Sequence, residues 1–118
     1  MDLLYNYTDA PPQFVTYKKH LGQKIYTINY HVEHIDYDEQ HGQPWRYSTV
    51  TLPVGRYDRA TVISAVIRQR YSDDEMQAII NNYLLDPTDA EAIMEFNAMQ
   101  DYRRFAKSLA DEFIKEIE

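Results

Sequence analysis

The spacing of apolar residues changes near Pro53 and Gly55, from every second residue to every third or fourth residue. Before that point, residues 24–35 (KIYTINYHVEHI) and 45–52 (WRYSTVTL) are rich in β-branched and aromatic side chains. The first of these segments alternates between apolar and polar residues, and such a period of two predicts half-buried strands. The polar segment 36–44 between them predicts a hairpin loop.

The second half of the chain has helical spacing. Residues 58–70 carry apolar side chains three and four positions apart, which predicts a central helix with Asp58 as its N-cap. Residues 72–85 have one apolar stripe, typical of an amphipathic helix. A third helix is predicted from Thr88 onward, roughly 40 Å long at about 1.5 Å per residue. Its apolar seam would consist of Phe96, Met99, Ala106, Ala110, Phe113 and Ile117.

Strands followed by helices predict an α+β fold: an N-terminal antiparallel β-hairpin followed by three α-helices, the last one long. Pro11 and Pro12 disfavour regular structure. We therefore expect residues 1–14 to be a mobile N-terminal arm and residues 15–118 to be a single α+β domain. The last helix is longer than a two-stranded hairpin and two short helices can cover, so we expect it to kink, to fray or to pack against another chain.

Residues 70–76, RYSDDEM, are the most chemically suggestive stretch because three carboxylates are adjacent. Ser72 and Glu75 have the spacing of a capping box, in which each side chain bonds the other residue's backbone amide. Successive helical residues point about 100° apart, so the three carboxylates cannot converge on one ion. We interpret this stretch as a corner between helices. Thr88 and Glu91 repeat the spacing and predict the same box for the third helix.

Two further segments suggest metal binding. Asp36 and Asp38 resemble the start of a calcium loop, but His41 and Tyr47 replace the glycine and glutamate that such a loop requires. His31 and Glu33 share one face of the first strand and would make a two-ligand surface site with no evident third ligand. The sequence therefore predicts no metal site, and this pair is kept only as a distant alternative.

No catalytic pattern is evident elsewhere. The serines lack a G-x-S-x-G elbow, the three glycines form no phosphate-binding loop, and cysteine is absent. The sequence predicts neither an enzyme nor a cofactor.

The net charge is −7, and it is unevenly distributed. Residues 1–56 contain five Lys or Arg against six Asp or Glu, whereas residues 57–118 contain seven against thirteen. No basic stripe is present, so we expect no nucleic-acid partner. The chain has no apolar run long enough for a membrane span and begins with no apolar signal segment, so we expect a cytoplasmic protein.

Eleven tyrosines are unusual in a chain of 118 residues, and tyrosine suits wet interfaces as well as the margins of a core. An aromatic sheet face is predicted, which either forms the core under the helices or docks a partner together with the N-terminal arm. The open hairpin also has two edges that invite strand addition. The candidate interface residues are Tyr5, Tyr7, Tyr26, Tyr30, Trp45, Tyr47, Phe113 and Ile117.

Residues 45–84, with the VISAVIR helix and RYSDDEMQAIINNYL, and residues 95–107 (EFNAMQDYRRFAK) resemble a family of small prophage-encoded proteins of gut Bacteroidetes. The resemblance covers about half of the chain. That family has no assigned activity or catalytic residues. The resemblance therefore implies only a phage-derived context, in which small acidic α+β proteins serve as virion components or assembly factors.

The leading hypothesis is a non-enzymatic structural or interaction protein, a homo-oligomer that binds itself or another protein, with a virion or assembly role implied by the resemblance. The alternative is a small acidic regulatory protein that binds and blocks a host macromolecule through its acidic helical half. Cytoplasmic location is expected for both, and association with a virion would accompany the first.

Overall fold

A computed structural model describes residues 5–35 and 42–118 of the chain. Within this part, four β-strands precede three α-helices, which confirms the predicted α+β class and the long last helix. The chain divides into two compact units. The sheet unit contains all the strands and ends at Asp58, and the helical unit runs from Arg59 to Glu118.

The predicted N-terminal hairpin is the centre of a larger sheet. The strands are β1 (Asn6–Thr8), β2 (Val15–His20), β3 (Gln23–His34) and β4 (Trp45–Thr51). They lie in the order β1-β4-β3-β2, and every neighbouring pair is antiparallel. The predicted hairpin corresponds to β3 and β4. The expectation that this hairpin has two open edges is wrong, because β2 occupies one edge and β1 the other.

The two outer strands lack the apolar alternation that identified the inner two. β2 is VTYKKH, and five of its six residues are exposed, as suits an edge strand that packs little surface. β1 has only three residues and lies within the segment predicted as a mobile arm. Its partner is β4, with Tyr7 opposite Arg46.

The predicted alternation in β3 holds from Tyr26 to Tyr30 and then breaks. Tyr26, Ile28 and Tyr30 are buried as predicted, but Val32 is exposed. The register between β3 and β4 shifts between Tyr30 and Glu33, and His31 adopts a positive φ of 52°. An irregularity of this kind inserts extra residues into one strand and reverses which face the following side chains occupy.

The helical unit consists of α1 (Arg59–Arg70), α2 (Asp73–Leu85) and α3 (Ala90–Ile117), and α3 packs against both other helices. The Tyr102 hydroxyl lies 3.4 Å from the Val66 carbonyl oxygen, to which it donates across the α1–α3 contact. The Tyr83 and Phe96 rings stack between α2 and α3, with centroids 4.3 Å apart. The buried residues are Val62, Val66, Ile67, Ala92, Met99, Ala106, Leu109, Ala110 and Phe113.

The α3 helix contains 28 residues without interruption, about 42 Å at 1.5 Å per residue. The predicted long helix is therefore one uninterrupted element, which the structure describes from end to end. Ala110 and Phe113 are fully buried near its C-terminus, so the chain itself covers this part of the helix.

Candidate functional site

The aromatic residues predicted to form one sheet face are divided between two faces. Ser48 pairs with Tyr30 and Val50 with Ile28, and directly paired residues share a face. Because side chains alternate along a strand, Tyr47 lies on the face opposite to Tyr30. The buried face therefore carries Tyr26 and Tyr30, whereas the half-buried Trp45 and Tyr47 lie on the other face.

Tyr5 and Tyr7, predicted to belong to a docking arm, lie beside Arg46 of β4. The Arg46 guanidinium sits 4.7 Å from the Tyr5 ring centroid and donates to the Glu33 carboxylate at 3.0 Å. Tyr7 is half-buried and faces Arg46 in the strand register. These contacts tie the N-terminal strand to the sheet. Tyr5 is 39% exposed, so part of its surface remains accessible to a partner.

The other two candidate interface residues lie on α3. Phe113 is fully buried, and Ile117 is half-buried. Phe113 therefore cannot contact a partner without rearrangement of the core. Together with Tyr26 and Tyr30, it is better described as part of the interior, and the role of all eight residues in an interface stays a prediction.

His31 and Glu33 are the pair that the sequence offered as a two-ligand metal site. The Glu33 carboxylate bonds Arg46, and His31 lies at the irregularity in β3. Desolvation of the imidazole lowers the pKa of His31, although the nearby Glu33 raises it in part. Within residues 5–35 and 42–118, no group of three or more His, Asp or Glu side chains could hold a metal ion. Asp36, Asp38 and His41 of the proposed calcium loop lie outside the described residues.

RYSDDEM forms a helix corner, as predicted. The Ser72 side chain accepts from the Glu75 amide at 3.1 Å, and the Glu75 carboxylate accepts from the Ser72 amide at 3.2 Å. Both bonds of the capping box are therefore present. Asp73 lies in the first turn of α2, with its carboxylate 3.6 Å from the Arg68 guanidinium. This stretch specifies the turn between α1 and α2.

The second predicted capping box is wrong by one residue. Asp89, not Thr88, is the N-cap of α3, and its carboxylate accepts from the Ala92 amide at 3.0 Å. The Thr88 hydroxyl instead donates to the Asp86 carboxylate at 2.6 Å. The Thr88 hydroxyl, and then its amide, hold the pKa of Asp86 below its usual range. The turn between α2 and α3 therefore keeps its negative charge at neutral pH.

A groove, which we call the α2–α3 groove, lies between α2 and α3. It consists of two adjoining hollows of about 400 and 300 Å³, and Asn82 and Glu95 line both. The apolar residues that line it are Ala78, Ile79, Leu85, Ala92 and Ala98. The small alanine side chains leave the space that a partner's side chains would fill.

The charged residues of the α2–α3 groove are almost all acidic. The carboxylates are Glu75, Asp86, Asp89, Glu91 and Glu95, and Arg70 is the cation at one end. The sequence explains this bias. Residues 71–102 contain no Lys, Arg or His but eight Asp or Glu. A groove with this lining favours a ligand that combines apolar surface with positive charge.

Two large and exposed apolar side chains lie at or beside the same groove. Leu85, which lines it, is 87% exposed, and Met94 is 67% exposed. Met94 lies one helical turn from both Glu91 and Ala98, which line the groove. In addition, none of the thirteen residues of α2, all of which the structure describes, is fully buried. The amphipathic α2 helix therefore has an apolar stripe that the chain covers only in part.

No sequence motif signals this groove directly, because its lining comes from two helices and includes alanines and carboxylates that occur on any solvated helix. The absence of basic residues between Tyr71 and Tyr102 is the one feature that points to it.

No family model matches this chain, and no curated protein or solved structure matches it either. Among the helices that the structure describes, none combines the length and the apolar character needed to cross a membrane.

Proposed function

We propose that this chain is a non-enzymatic interaction protein that assembles with copies of itself through the α2–α3 groove. The observation that carries the proposal is the incomplete burial of α2, beside a groove that joins apolar and acidic side chains. Contiguous exposed apolar surface with a polar rim is typical of protein-binding sites. The described residues offer no competing cluster of titratable groups that could bind a metal.

The energetic argument rests on Leu85 and Met94. Complete burial of a leucine or methionine side chain contributes about 1.5–3 kcal/mol. Two such side chains would offset part of the entropy that two chains lose on association. The carboxylates around them would select the partner and its orientation more than they would add affinity. A second copy fits because the same chain also carries a cluster of lysines, of which Lys18 and Lys19 are exposed and Lys24 is half-buried.

The test is light scattering coupled to size exclusion over a wide range of protein concentration. We expect the wild-type mass to rise with concentration. The double variant Leu85→Gln and Met94→Gln should need about tenfold more protein for the same degree of association, since about 1.4 kcal/mol corresponds to a factor of ten. Val54→Gln, which removes an exposed apolar side chain from the sheet unit, is the matched control and should behave as wild type.

A wild-type protein that stays monomeric at every concentration would overturn self-assembly. The second candidate function, an acidic regulator of a host macromolecule, would then be favoured by the eight carboxylates of residues 71–102. A pull-down of a basic host protein that weakens with added salt and with Glu91→Lys would support it. The resemblance to prophage-encoded proteins extends the leading proposal to a virion component or assembly factor.

A further inference from the structure

The turn between β2 and β3 places a leucine where the backbone favours other residues. Leu21 and Gly22 connect His20 to Gln23, and their φ angles are 52° and 82°. Two-residue hairpin turns with positive φ at both central positions strongly prefer Asn-Gly, because a side chain such as leucine is strained in the left-handed region. Leu21 is nevertheless there, and it is 91% exposed. Such an outlier suggests that the side chain has a role outside the fold.

Lysines surround this leucine, and their arrangement also lowers the stability of the hairpin in an isolated chain. Lys19 and Lys24 are directly opposite each other in the β2–β3 register, and like charges in that position are destabilising. The Lys24 ammonium lies 4.8 Å from the centroid of the exposed Tyr17 ring. Lys18 occupies the other face of β2 and is exposed. Residues 10–32 contain no Asp or Glu that would balance these charges.

Residues 18–24, which we call the hairpin tip, therefore present an exposed apolar side chain within a basic collar. The α2–α3 groove presents the complementary arrangement, apolar side chains bordered by carboxylates. Three of those carboxylates, on Glu75, Asp86 and Asp89, already accept hydrogen bonds within the chain. Glu91 and Glu95 are exposed and are the natural partners for incoming lysines.

We propose that the hairpin tip of one copy occupies the α2–α3 groove of a second copy. Leu21 inserts among the apolar lining residues, and Lys18, Lys19 and Lys24 meet the carboxylates beside it. The inference rests on the proposed self-assembly and specifies its contact. Because two different surfaces of the chain meet, the interface is heterologous: each copy offers one tip and one groove, and assembly continues until a ring closes or a filament grows.

The same lysines and Tyr17 would also suit the phosphates and bases of a nucleic acid. The second copy is favoured because the net charge of −7 repels a polyanion as a whole, whereas the acidic groove is present on every copy. Nucleic-acid binding is therefore an outcome that the experiment must include.

The experiment mixes two variants that are each defective in one half of the contact. Lys18→Glu with Lys19→Glu disables the tip and leaves the groove intact, and Glu91→Lys with Glu95→Lys does the reverse. We expect each variant alone to be monomeric where wild type is oligomeric. An equimolar mixture of the two should associate again, because the intact tip of one variant meets the intact groove of the other, and the reversed tip and the reversed groove also carry opposite charges.

Matched controls carry the same charge changes on exposed residues of α3. Lys107→Glu with Lys115→Glu, and Glu112→Lys with Glu116→Lys, should both assemble as wild type. A circular-dichroism melt of every variant establishes that it is folded. A labelled single-stranded oligonucleotide titrated against wild type and the tip variant supplies the nucleic-acid arm, and we expect no binding by either.

Leu21→Asn separates a role in assembly from a role in folding. Asparagine tolerates positive φ better than leucine, so the melting temperature should rise while the concentration needed for assembly increases at least several-fold. A variant that loses assembly only because it unfolds would show the opposite change in melting temperature.

The outcomes distinguish this inference from the function on which it rests. If wild type assembles and the tip variants assemble equally well, the tip is not the occupant and the inference fails while self-assembly stands. If both charge variants are monomeric and their mixture is monomeric too, the head-to-tail contact is wrong. A wild type that is monomeric, whether or not it binds the oligonucleotide, overturns both.

Discussion

The Arg59 guanidinium donates to the Asp111 carboxylate at 2.7 Å and so links the first residue of α1 to the last third of α3. The observed pair spans 52 positions of sequence. It therefore joins two helices, although both side chains remain more than half exposed.

This link predicts how the stability of the helical unit depends on pH. The hydrogen bond from Arg59 is the main cause that holds the pKa of Asp111 below its usual range. A carboxyl with a lowered folded-state pKa contributes stability above its unfolded pKa of about 3.9 and loses it as the pH falls through the folded value. Asp111→Asn should therefore lower the melting temperature at pH 6, and the difference from wild type should shrink below about pH 4.

A thermal melt followed by circular dichroism at pH 6 and pH 3 measures both differences. Asp101→Asn is the control, because its carboxylate pairs at 2.6 Å with Arg104 on the same helix and does not link two helices. Exposed pairs of this kind contribute little, so we expect a small effect at both pH values. An Asp111→Asn deficit that is unchanged at pH 3 would contradict the prediction.

Ser72→Ala should lower the free energy of unfolding by about 0.5–2 kcal/mol, because it removes the side chain that caps α2. The measurement is urea denaturation at neutral pH. Ser108→Ala, an exposed serine within α3, should be neutral or slightly stabilising, since alanine is the better helix former. Self-association should be retained in both variants. A folded Ser72→Ala protein that no longer self-associates would give this corner a functional role that we do not assign to it.

The caps of α3 provide a direct comparison between two neighbouring residues. Asp89→Ala removes the N-cap and should cost about 1 kcal/mol, whereas Thr88→Ala leaves the cap in place and should cost clearly less. Equilibrium unfolding in urea, with both variants measured side by side, decides the order. The reverse order would mean that Thr88 caps the helix in solution, as its spacing from Glu91 predicted.

Gly55 is required for its backbone conformation. Its φ is 69°, in the region that non-glycine residues occupy at a cost of about 1–2 kcal/mol. An added Cβ would also lie 2.8 Å from the Gln23 side-chain oxygen, which is the mobile end of that side chain. We expect Gly55→Ala to be destabilising and Gln23→Ala not to restore stability in the double variant. Recovery in the urea midpoint of the double variant would show that the clash, and not the φ angle, sets the cost.

Much of this fold follows from short-range patterns, and the failures have physical causes. The Ser72 capping box is encoded within four residues, so the sequence is sufficient to predict it. β2 escapes prediction because an exposed edge strand buries too little surface to require alternation. The α3 cap was misplaced because Thr88 and Asp89 are both good capping residues. Which of them caps depends on the Asp86 carboxylate, which binds Thr88.

The binding surfaces were harder to predict than the fold. The alternation along β3 predicts that Tyr26 and Tyr30 share one face of the strand. The same alternation also predicts that this face is buried, so it does not distinguish a binding surface from the core. Leu21 lies in a turn and belongs to none of the apolar repeats that identify strands and helices. The sequence alone does not reveal the sign of its φ angle. The α2–α3 groove depends on the packing of two helices, and only their shared lack of basic residues is visible in the sequence.

The hairpin tip is rich in lysine and the α2–α3 groove is rich in carboxylates, which has a consequence for chromatography. A protein with a sequence pI near 5.0 should bind an anion-exchange resin at pH 7. Because local patches and not only net charge govern adsorption, we expect a cation-exchange resin at low ionic strength to retain the same protein. The Lys18→Glu and Lys19→Glu variant should flow through that second column.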